Sequence, residues 1–424
     1  MAIILFLSLF TLILLGMPIA IALGLSSAIA VWYDGGIPLI ILAQREFTSL
    51  DNFPLMAIPF FILAGTLMEF GGISKRLINF ANAMTGHITG GLGLVVVVTS
   101  MIFAAISGSG AATVAALGSI LIPAMIKRGY HRNYAGAIQA ISGELGVIIP
   151  PSIPMILYAV STGTSIRDMF IAGIVPGLLI GFSLMIMVYF IAKKRGYPRE
   201  ERVSAAGRWQ AFKSAILALL MPIIVLGGIY GGIFTPTEAA AVAVAYAFIV
   251  GVFIYKEIKW NNLIPILGQS TITSAIILFI IANAGLFGWI LSREGVPHLV
   301  AGYFANISDS PIVFLLVINI LLIFVGMFFD GGAAIIILGP ILAPVAAGFG
   351  IDPVHFGIIM VVNLAMGMCT PPVGVNLFIS CQIAGIKLGE ITKAILPFLF
   401  LMIVDLLLIS FIPKISLWLP QLLK

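Results

Sequence analysis

The sequence predicts an all-α polytopic membrane protein with two inverted repeats, each containing a re-entrant helical hairpin and a broken transmembrane helix. Three observations support this fold class. Of the 424 residues, 61% are hydrophobic and 9% are charged, and the mean hydropathy of +1.20 lies outside the range of soluble domains. Several apolar runs are interrupted by glycine, serine or proline. These interruptions recur at matching positions in the two halves of the chain.

Uninterrupted apolar runs of spanning length, about 20 residues, predict simple transmembrane helices. The first run has no basic leader and no small-residue cleavage site, so we expect a retained span rather than a signal peptide. The predicted spans are residues 2–33, 53–71, 168–193, 214–232, 236–256, 271–292 and 390–412.

Other apolar segments are interrupted near their middle. They pair residues 91–107 with 111–126, 134–149 with 153–160, 311–328 with 333–347, and 354–369 with 374–384. The first and third pairs are predicted to be hairpins that enter and leave the membrane on one side. The second and fourth are predicted to be broken transmembrane helices.

The distribution of lysine and arginine favours this assignment. Residues 193–213 form a strongly basic segment, and basic loops of this kind stay in the cytoplasm. If both hairpins are re-entrant, 16 of the 21 basic residues and the N-terminus are cytoplasmic, whereas treating either hairpin as a simple span removes the asymmetry. The bases then expected outside are Arg45, Arg167, Arg293, Lys414 and Lys424.

The two halves of the chain can be superposed on each other. Residues 110–176 align without gaps on residues 331–397, an offset of 221. Glycine and proline dominate the matches, and these residues mark backbone geometry rather than apolarity. Since the copies start on opposite sides in the predicted topology, the repeat is expected to be inverted, as in many transporters. The matched pairs include Gly110/Gly331, Gly118/Gly339, Pro123/Pro344, Gly129/Gly350, Gly136/Gly357, Gly146/Gly367, Pro150/Pro371, Pro151/Pro372 and Pro176/Pro397.

Interrupted backbone at membrane depth predicts a binding site. "SGSGAAT" (107–113) and "FDGGAA" (329–334) are predicted hairpin tips, and "GVIIPPSIP" (146–154) and "GMCTPPVGV" (367–375) are predicted breaks. Such backbone persists only where it is buried in protein or lines a wet cavity. Proline leaves carbonyls free, and each restarting helix offers amides at its positive end. Carbonyls with hydroxyls suit Na⁺, and amides suit an anion.

The candidate site residues form three groups. The first Na⁺ is expected near Ser107, Ser109, Gly143, Gly146 and Ile149. A second Na⁺ is expected near Gly326, Phe329, Asp330, Gly367 and Thr370. The anion is expected near Ser152, Ser161 and Asn376. Two equivalent half-sites predict two or more Na⁺ ions.

Buried acids and amides admit alternative interpretations. Asp330 suits a coupling cation, because burying an acid in the membrane costs free energy and such acids are usually functional. The alternative is that Asp330 only caps the helix at the tip. Glu144 could belong to the site or to buried polar packing. Glu238 fits a capping box in "TPTE" better than an ion site. Asp405 is expected to face a scaffold or partner group, and Asn363 could bind substrate or secure unwound backbone.

Other function classes find little support. The sequence has no HExxH motif, and Asp330 has no evident second aspartate, so an intramembrane enzyme is not expected. Cys369 and Cys381 lie in apolar sequence and the histidines are scattered, which predicts neither a disulfide framework nor a metal site. A channel would more often show a pore ring repeated by oligomer symmetry.

The whole chain resembles the large membrane subunit of the tripartite ATP-independent periplasmic (TRAP) transporters. The resemblance is carried by "DNFPLMAIPFFILAG" (51–65), "FAAISGSGAATVAALGSILIP" (103–123), "GELGVIIPPSIPMILYAVSTGTSI" (143–166), "GGIFTPTEAAAVAVAYA" (231–247) and "MGMCTPPVGVNLF" (366–378). It implies an elevator-type secondary transporter in the bacterial inner membrane, which takes up an organic acid anion driven by Na⁺. The implied partners are a periplasmic substrate-binding protein and a small four-helix membrane subunit.

The resemblance leaves the substrate and one alternative open. A C4-dicarboxylate, a sialic acid or a similar carboxylate would fit, and a stand-alone Na⁺/dicarboxylate symporter of related architecture is the alternative. The expected division of the chain has four parts. They are N-terminal scaffold helices and arm (1–90), a first transport-domain repeat (91–192), a basic loop with scaffold helices (193–270), and a second transport-domain repeat with the C-terminal helix (271–424).

Overall fold

The computed structural model describes residues 1–308 and 310–423, and all regular secondary structure in these ranges is helical. Lys424, one of the bases expected outside, lies beyond the described residues. Within those ranges, 9 helices are long and apolar enough to cross a membrane, or up to 10 if a helix pair bent by 41° counts as one span. The predicted all-α polytopic fold is therefore confirmed.

The N-terminal region differs from the predicted single span over residues 2–33. Two short helices replace that span, α1 and α2, and they pack against each other. Gly16 has a φ of +82° and Pro18 precedes α2, so the chain turns back where a straight helix was expected. The region comprises α1 (Ala2–Leu14), α2 (Ile19–Asp34), α3 (Ile40–Leu50), a 3₁₀ turn (Phe53–Met56), α4 (Ala57–Phe70) and α5 (Ile73–Thr85).

This turn affects the predicted topology. The amino group of Met1 lies 3.1 Å from a carboxyl oxygen of Glu294. The N-terminus and Arg293 therefore lie on the same side of the membrane. The sequence predicted a cytoplasmic N-terminus and an external Arg293, and these two predictions cannot both be correct. The hydrogen bond from the Ala2 amide and the contact with the N-terminal ammonium hold the pKa of Glu294 below its usual range.

The first repeat has the predicted hairpin and broken helix. Its hairpin ends in a tip at Gly108 and Ser109, and its broken helix is interrupted after Ile148. A long helix of 30 residues follows. The elements are α6 (Gly91–Ser107), α7 (Gly110–Lys127), α8 (Arg132–Gly143), α9 (Leu145–Ile148), α10 (Ile153–Thr162) and α11 (Ile166–Arg195).

The central region connects the two repeats. Its helices are α12 (Ala205–Tyr230), α13 (Pro236–Ile249) with a π-helical turn (Val250–Ile254), α14 (Trp260–Arg293) and α15 (Val296–Ile307). α13 packs on α4, and α14 packs on α2, α3, α4 and α17. At 34 residues, α14 extends well before the predicted start of its span at residue 271.

The second repeat follows the order of the first, except that one helix stands in place of α8 and α9 and a short helix is added at its end. Its elements are α16 (Pro311–Phe328), α17 (Gly331–Gly348), α18 (Pro353–Gly367), α19 (Val375–Ala384), α20 (Leu388–Phe411) and α21 (Lys414–Leu422). The turn after each hairpin contains a left-handed glycine at a matched position, Gly129 with φ +86° and Gly350 with φ +75°. The backbone therefore repeats where the sequence aligned.

The two broken helices form the centre of the molecule. Residues 134–143 of α8 and 355–367 of α18 are buried throughout. A helix that is buried on all sides lies at the core of its fold. The hairpins pack around these two helices, which brings the tips and the breaks to the same depth.

Candidate functional site

The first hairpin tip is a turn closed by hydroxyl groups. Gly108 has a φ of +63°, a conformation that other residues rarely adopt. Ser109 caps α7 by accepting from the Ala112 amide at 3.4 Å. The hydroxyls of Ser107 and Thr113 lie 2.9 Å apart, and Thr113 donates to the carbonyl of Ser109 at 2.8 Å. Three hydroxyls and one carbonyl are thereby gathered at this tip.

This tip packs directly against the first break. The amide of Ile153 donates to the carbonyl of Gly108 at 3.2 Å. A Cβ added to Gly146 would lie 2.5 Å from both the Ser109 carbonyl oxygen and the Thr113 hydroxyl. Only glycine allows this approach, so the tip and the break form one packed unit.

The second tip packs on the second break in the same way. A Cβ added to Gly367 would lie 2.5 Å from the Cα of Gly326, so the two backbones are in contact. Asp330 caps α17, because its Oδ1 accepts from the Gly332 amide at 2.9 Å. The cap that was weighed as an alternative for Asp330 is present, yet its side chain also lines a cavity.

That cavity, called the inner cavity here, lies between the two tips. Its walls include residues 108–111 of the first tip, 330–333 of the second tip, Ile153 and Pro154 at the start of α10, and Ile277 and Ile280 of α14. The helices α7, α10 and α17 all begin at its wall. Side-chain caps and the Gly108 carbonyl already take up several of their first amides, but each helix N-terminus keeps a positive partial charge, so their convergence favours an anion.

The inner cavity has an unusual charge balance. Its lining contains no lysine, arginine or histidine, and Asp330 is the only ionisable residue among the described lining residues. Across residues 1–308 and 310–423, no group of three or more His, Cys, Asp or Glu side chains could hold a metal ion. The available donors are carboxylate, hydroxyl and carbonyl oxygens, which are the ligands of hard cations such as Na⁺.

Most residues predicted for the first Na⁺ lie together. Ser107, Ser109 and Gly146 meet as described above, and a Cβ added to Gly143 would lie 3.3 Å from the carbonyl oxygen of Gly110 at the tip. Ile149 was expected to contribute its carbonyl, and its side chain packs on Gly177 of α11.

The residues predicted for the second Na⁺ are more dispersed. Gly326 and Gly367 are in contact, and Asp330 faces the inner cavity. Phe329 connects the two hairpin helices, and its amide bonds to the Val325 carbonyl. The hydroxyl of Thr370 donates to the Met366 carbonyl at 2.7 Å. Na⁺ binding at either place stays a prediction.

Of the three residues predicted for the anion, Asn376 lies at the first tip, where its Nδ2 is 3.2 Å from a Cβ added to Gly110, whereas Ser161 lies elsewhere. Ser152 is buried and caps α10 through the Met155 amide at 3.3 Å. Asn376 is fully buried, and its Nδ2 lies 3.7 Å from the Cys369 sulfur. Ser161 lines a neighbouring cleft instead of the inner cavity. Local spacing did not reveal that α10 turns Ser161 away from the tips.

The other polar candidates can now be placed. Glu238 forms the predicted capping box, accepting from the amide and the hydroxyl of Thr235 at 2.8 Å each. Asp405 accepts a short hydrogen bond from Ser183 of α11, which belongs to the first repeat and not to the scaffold or partner group that was expected. Asn363 donates to Asn319 at 2.9 Å and thus ties α18 to α16.

Glu144 is fully buried in the core. Within the described residues, neither of its carboxyl oxygens has a hydrogen-bond partner. The thiol of Cys369 from the other repeat faces it and donates to the Ala140 carbonyl at 3.1 Å. Glu144 therefore lies between the two repeats, behind the wall of the inner cavity.

Several site residues were missed by the sequence reasoning. Thr113 belongs to the hydroxyl cluster of the first tip and was already present in "SGSGAAT". Leu157, Ile277 and Ile280 line the inner cavity, but their apolar sequence carries no functional signal. They line the cavity because of the way α10 and α14 are rotated in the folded protein.

Comparisons with known proteins agree with this architecture. The family model described as the tripartite ATP-independent periplasmic transporter, DctM component, matches residues 6–415. The chain is 44% identical over 436 residues to the C4-dicarboxylate TRAP transporter large permease protein DctM of Rhodobacter capsulatus, covering 100% of this chain and 99% of the relative. It is 47% identical over 407 residues to the isethionate TRAP transporter permease protein DctMQ of Oleidesulfovibrio alaskensis, covering 96% of this chain and 64% of the relative.

A solved structure shares the fold. The crystal structure of the Alcanivorax borkumensis YdaH transporter matches with a TM-score of 0.61 and 16% identity, over 87% of this chain and 86% of that one. Paired hairpins and broken helices around one cavity are a build found in membrane transporters, and the family match assigns the chain to a transporter permease component and not to an enzyme. The chain belongs to the DctM component family, the large permease proteins of TRAP transporters.

Proposed function

We propose that this protein carries out Na⁺-coupled uptake of an organic acid anion delivered by a periplasmic substrate-binding protein. It would act in the bacterial inner membrane together with a small four-helix membrane subunit. The observation that carries the proposal is the convergence of three helix N-termini on a cavity whose lining has no basic side chain. Relatives whose names specify C4-dicarboxylate and isethionate support an organic acid as the substrate class.

The charge balance supports coupling to Na⁺. Helix dipoles attract an anion, but Asp330 in the same cavity repels it. A cation bound next to Asp330 would neutralise this carboxylate and add a positive charge for the substrate. Anion and Na⁺ would then strengthen each other's binding by the same factor, as linkage requires.

The packing supports an elevator movement. Each tip is in backbone contact with its own break, through Gly146 in one repeat and Gly326 with Gly367 in the other. Such contacts favour movement of each hairpin and its broken helix as a unit, because packed backbones do not deform continuously. The two units together would carry the inner cavity past the scaffold helices.

The test is equilibrium binding to the purified membrane complex. Succinate, N-acetylneuraminate and isethionate would be titrated by calorimetry in NaCl and in choline chloride of equal ionic strength. We expect at least one of them to bind in Na⁺ and to lose about tenfold or more of its affinity in choline, a typical coupling of 1–3 kcal/mol. Equal affinity in the two salts would refute coupling.

Uptake into vesicles separates the proposal from the stand-alone symporter. Transport that requires the cognate binding protein supports a tripartite system. Transport by the membrane protein without any binding protein would instead support a symporter of related architecture.

A further inference from the structure

A second cleft, called the side cleft here, adjoins the inner cavity. It lies between α3, α10, α14 and α17. Leu157 and Ile336 line both spaces, so the two share an apolar part of their walls. The polar residues of the side cleft are Thr48, Ser49, Asn52, Ser161 and Ser292.

Two arginines lie over the indole of one tryptophan that lines the side cleft. Trp289 lines this cleft. The guanidinium carbon of Arg45 lies 4.8 Å from the centroid of the Trp289 ring, and that of Arg293 lies 5.8 Å from it. Arg45 comes from α3 and Arg293 ends α14, so the folded structure brings these two charges together.

Neither arginine takes part in a salt bridge within the described residues. The ion pairs among residues 1–308 and 310–423 join Met1 to Glu294, Arg76 to Glu257 and Arg128 to Glu200, and none includes Arg45 or Arg293. Glu294 is held by the Met1 ammonium and the Ala2 amide, and Arg293 affects it only weakly through space. The described lining of the side cleft contains no carboxylate.

We infer that Arg45, Trp289 and Arg293 form an outer anion site, which binds the acidic group of an organic acid before it enters the inner cavity. The inference rests on the proposed function. A guanidinium that lies over an indole keeps its N–H groups free at its edge, where they match a carboxylate or sulfonate in a bidentate contact. The contact with the indole also holds the long arginine side chains in place, which lowers the entropic cost of binding.

The side cleft offers a route from the outer anion site to the inner cavity. Hydroxyl and amide groups along it replace part of the hydration of an anion, and no acid repels the anion. Leu157 and Ile336 belong to the apolar wall that the two spaces share. The two sites differ in one measurable property. The outer anion site attracts anions through fixed arginines and needs no Na⁺, whereas the inner cavity depends on Na⁺.

This difference defines the binding experiment. The chain has five tryptophans, so replacing Trp32, Trp209, Trp260 and Trp418 by Phe leaves Trp289 as the chain's own fluorophore. The purified protein would be measured in choline buffer with an anionic quencher, iodide, and a neutral quencher, acrylamide. Because the arginines attract anions, iodide should quench the fluorescence of Trp289 more strongly than the acrylamide result predicts. Succinate or isethionate should relieve that quenching at constant ionic strength. Arg45→Gln and Arg293→Gln should each reduce both effects.

A transport experiment gives an independent readout. With whichever of succinate, N-acetylneuraminate and isethionate proves to be taken up, Arg45→Gln and Arg293→Gln should each raise KM about fivefold, as expected for losing an exposed ion pair of roughly 1 kcal/mol. The kcat should change little, and the KM effect should shrink at high salt. Arg202→Gln is the matched control, since it removes the same charge at an exposed position elsewhere.

The outcomes distinguish this inference from the proposed function. Loss of iodide quenching together with a raised KM supports the outer anion site. If quenching is unaffected by organic acids and both variants transport like Arg202→Gln, the arginines only anchor the protein at the membrane interface and the inference is wrong. The calorimetric Na⁺ dependence in the inner cavity could still hold in that case, because it involves neither arginine.

Discussion

The amide of Ile153 donates to the carbonyl of Gly108 at 3.2 Å, joining the first hairpin tip to the helix that restarts after the first break. The residue equivalent to Ile153 by the offset of 221 is Gly374. Its amide donates at 3.2 Å to Met327, which precedes the second tip. The internal repeat is thus also a repeat of tertiary contacts, and it links each hairpin to its own broken helix.

Gly146→Ala and Gly367→Ala should both impair the protein. The added methyl would lie 2.5 Å from the first tip in one variant and from the backbone of Gly326 in the other, and backbone cannot move aside cheaply. We expect a loss of about 1–3 kcal/mol of stability, typical of overpacking, and reduced uptake. Thermal unfolding in detergent and vesicle uptake measure the two effects.

Gly268→Ala is the control for these variants. Gly268 lies in α14, and a Cβ added there meets nothing within 4 Å. Because alanine is the better helix former by about 1 kcal/mol, this variant should be as stable as the wild type or more so. Equal behaviour of all three variants would show that the tips are not packed on the breaks.

Asp330→Asn should weaken Na⁺ activation without unfolding the tip. Asparagine also caps helices, so the bond to the Gly332 amide can persist while the negative charge is lost. We expect the Na⁺ concentration for half-maximal uptake to rise about tenfold, since a charge-assisted contact contributes about 1.4 kcal/mol or more. Asp330→Ala, which removes both the cap and the charge, should lower stability as well. If Asp330→Asn showed the same Na⁺ activation as the wild type, Asp330 would act only as a helix cap and not as a Na⁺ ligand.

Cysteines at Lys127 and Ala347 should be labelled from opposite sides of the membrane. Both residues are exposed, and each lies near the C-terminal end of the second helix of its hairpin, α7 or α17. They avoid the strain of a side chain at Gly129 or Gly350, where φ is positive. In a background without Cys369 and Cys381, an impermeant maleimide should reach position 127 from the cytoplasm and position 347 from the periplasm. Labelling of both from one side would refute the inverted topology.

The N-terminus should be accessible from the same side as Arg293. The contact between Met1 and Glu294 requires this arrangement. A short N-terminal epitope should therefore be removed by protease added to spheroplasts if Arg293 is external. Protection of the epitope, together with labelling of a cysteine at Arg293 from outside, would contradict the contact between Met1 and Glu294.

Thr235→Ala should lower stability without changing the response to Na⁺. Thr235 and Glu238 cap the start of α13 reciprocally, and losing such a cap costs about 1 kcal/mol. Thermal unfolding should register this loss, while the Na⁺ dependence of uptake should match the wild type. A shifted Na⁺ dependence with unchanged stability would instead assign Glu238 to an ion site.

The predictable part of the site was its local backbone. Gly108, Ser109 and Asp330 mark turns and caps whose chemistry depends on neighbours a few residues away, and the structure places all three at the tips. The predicted span over residues 2–33 was wrong because apolarity alone does not distinguish one long helix from two packed short ones.

The amino-acid sequence by itself determined the membrane environment, the two hairpins, the two breaks and their duplication, because glycine, proline and capping residues act on nearby backbone. The tertiary structure decided which groups share a cavity. It placed Ser161 in the side cleft, apart from Asn376 at the first tip, and it brought Arg45 to Trp289 across more than 200 positions of the chain. Such contacts depend on how each helix is rotated and packed, and an apolar helix that can bury any face carries little local information about its rotation.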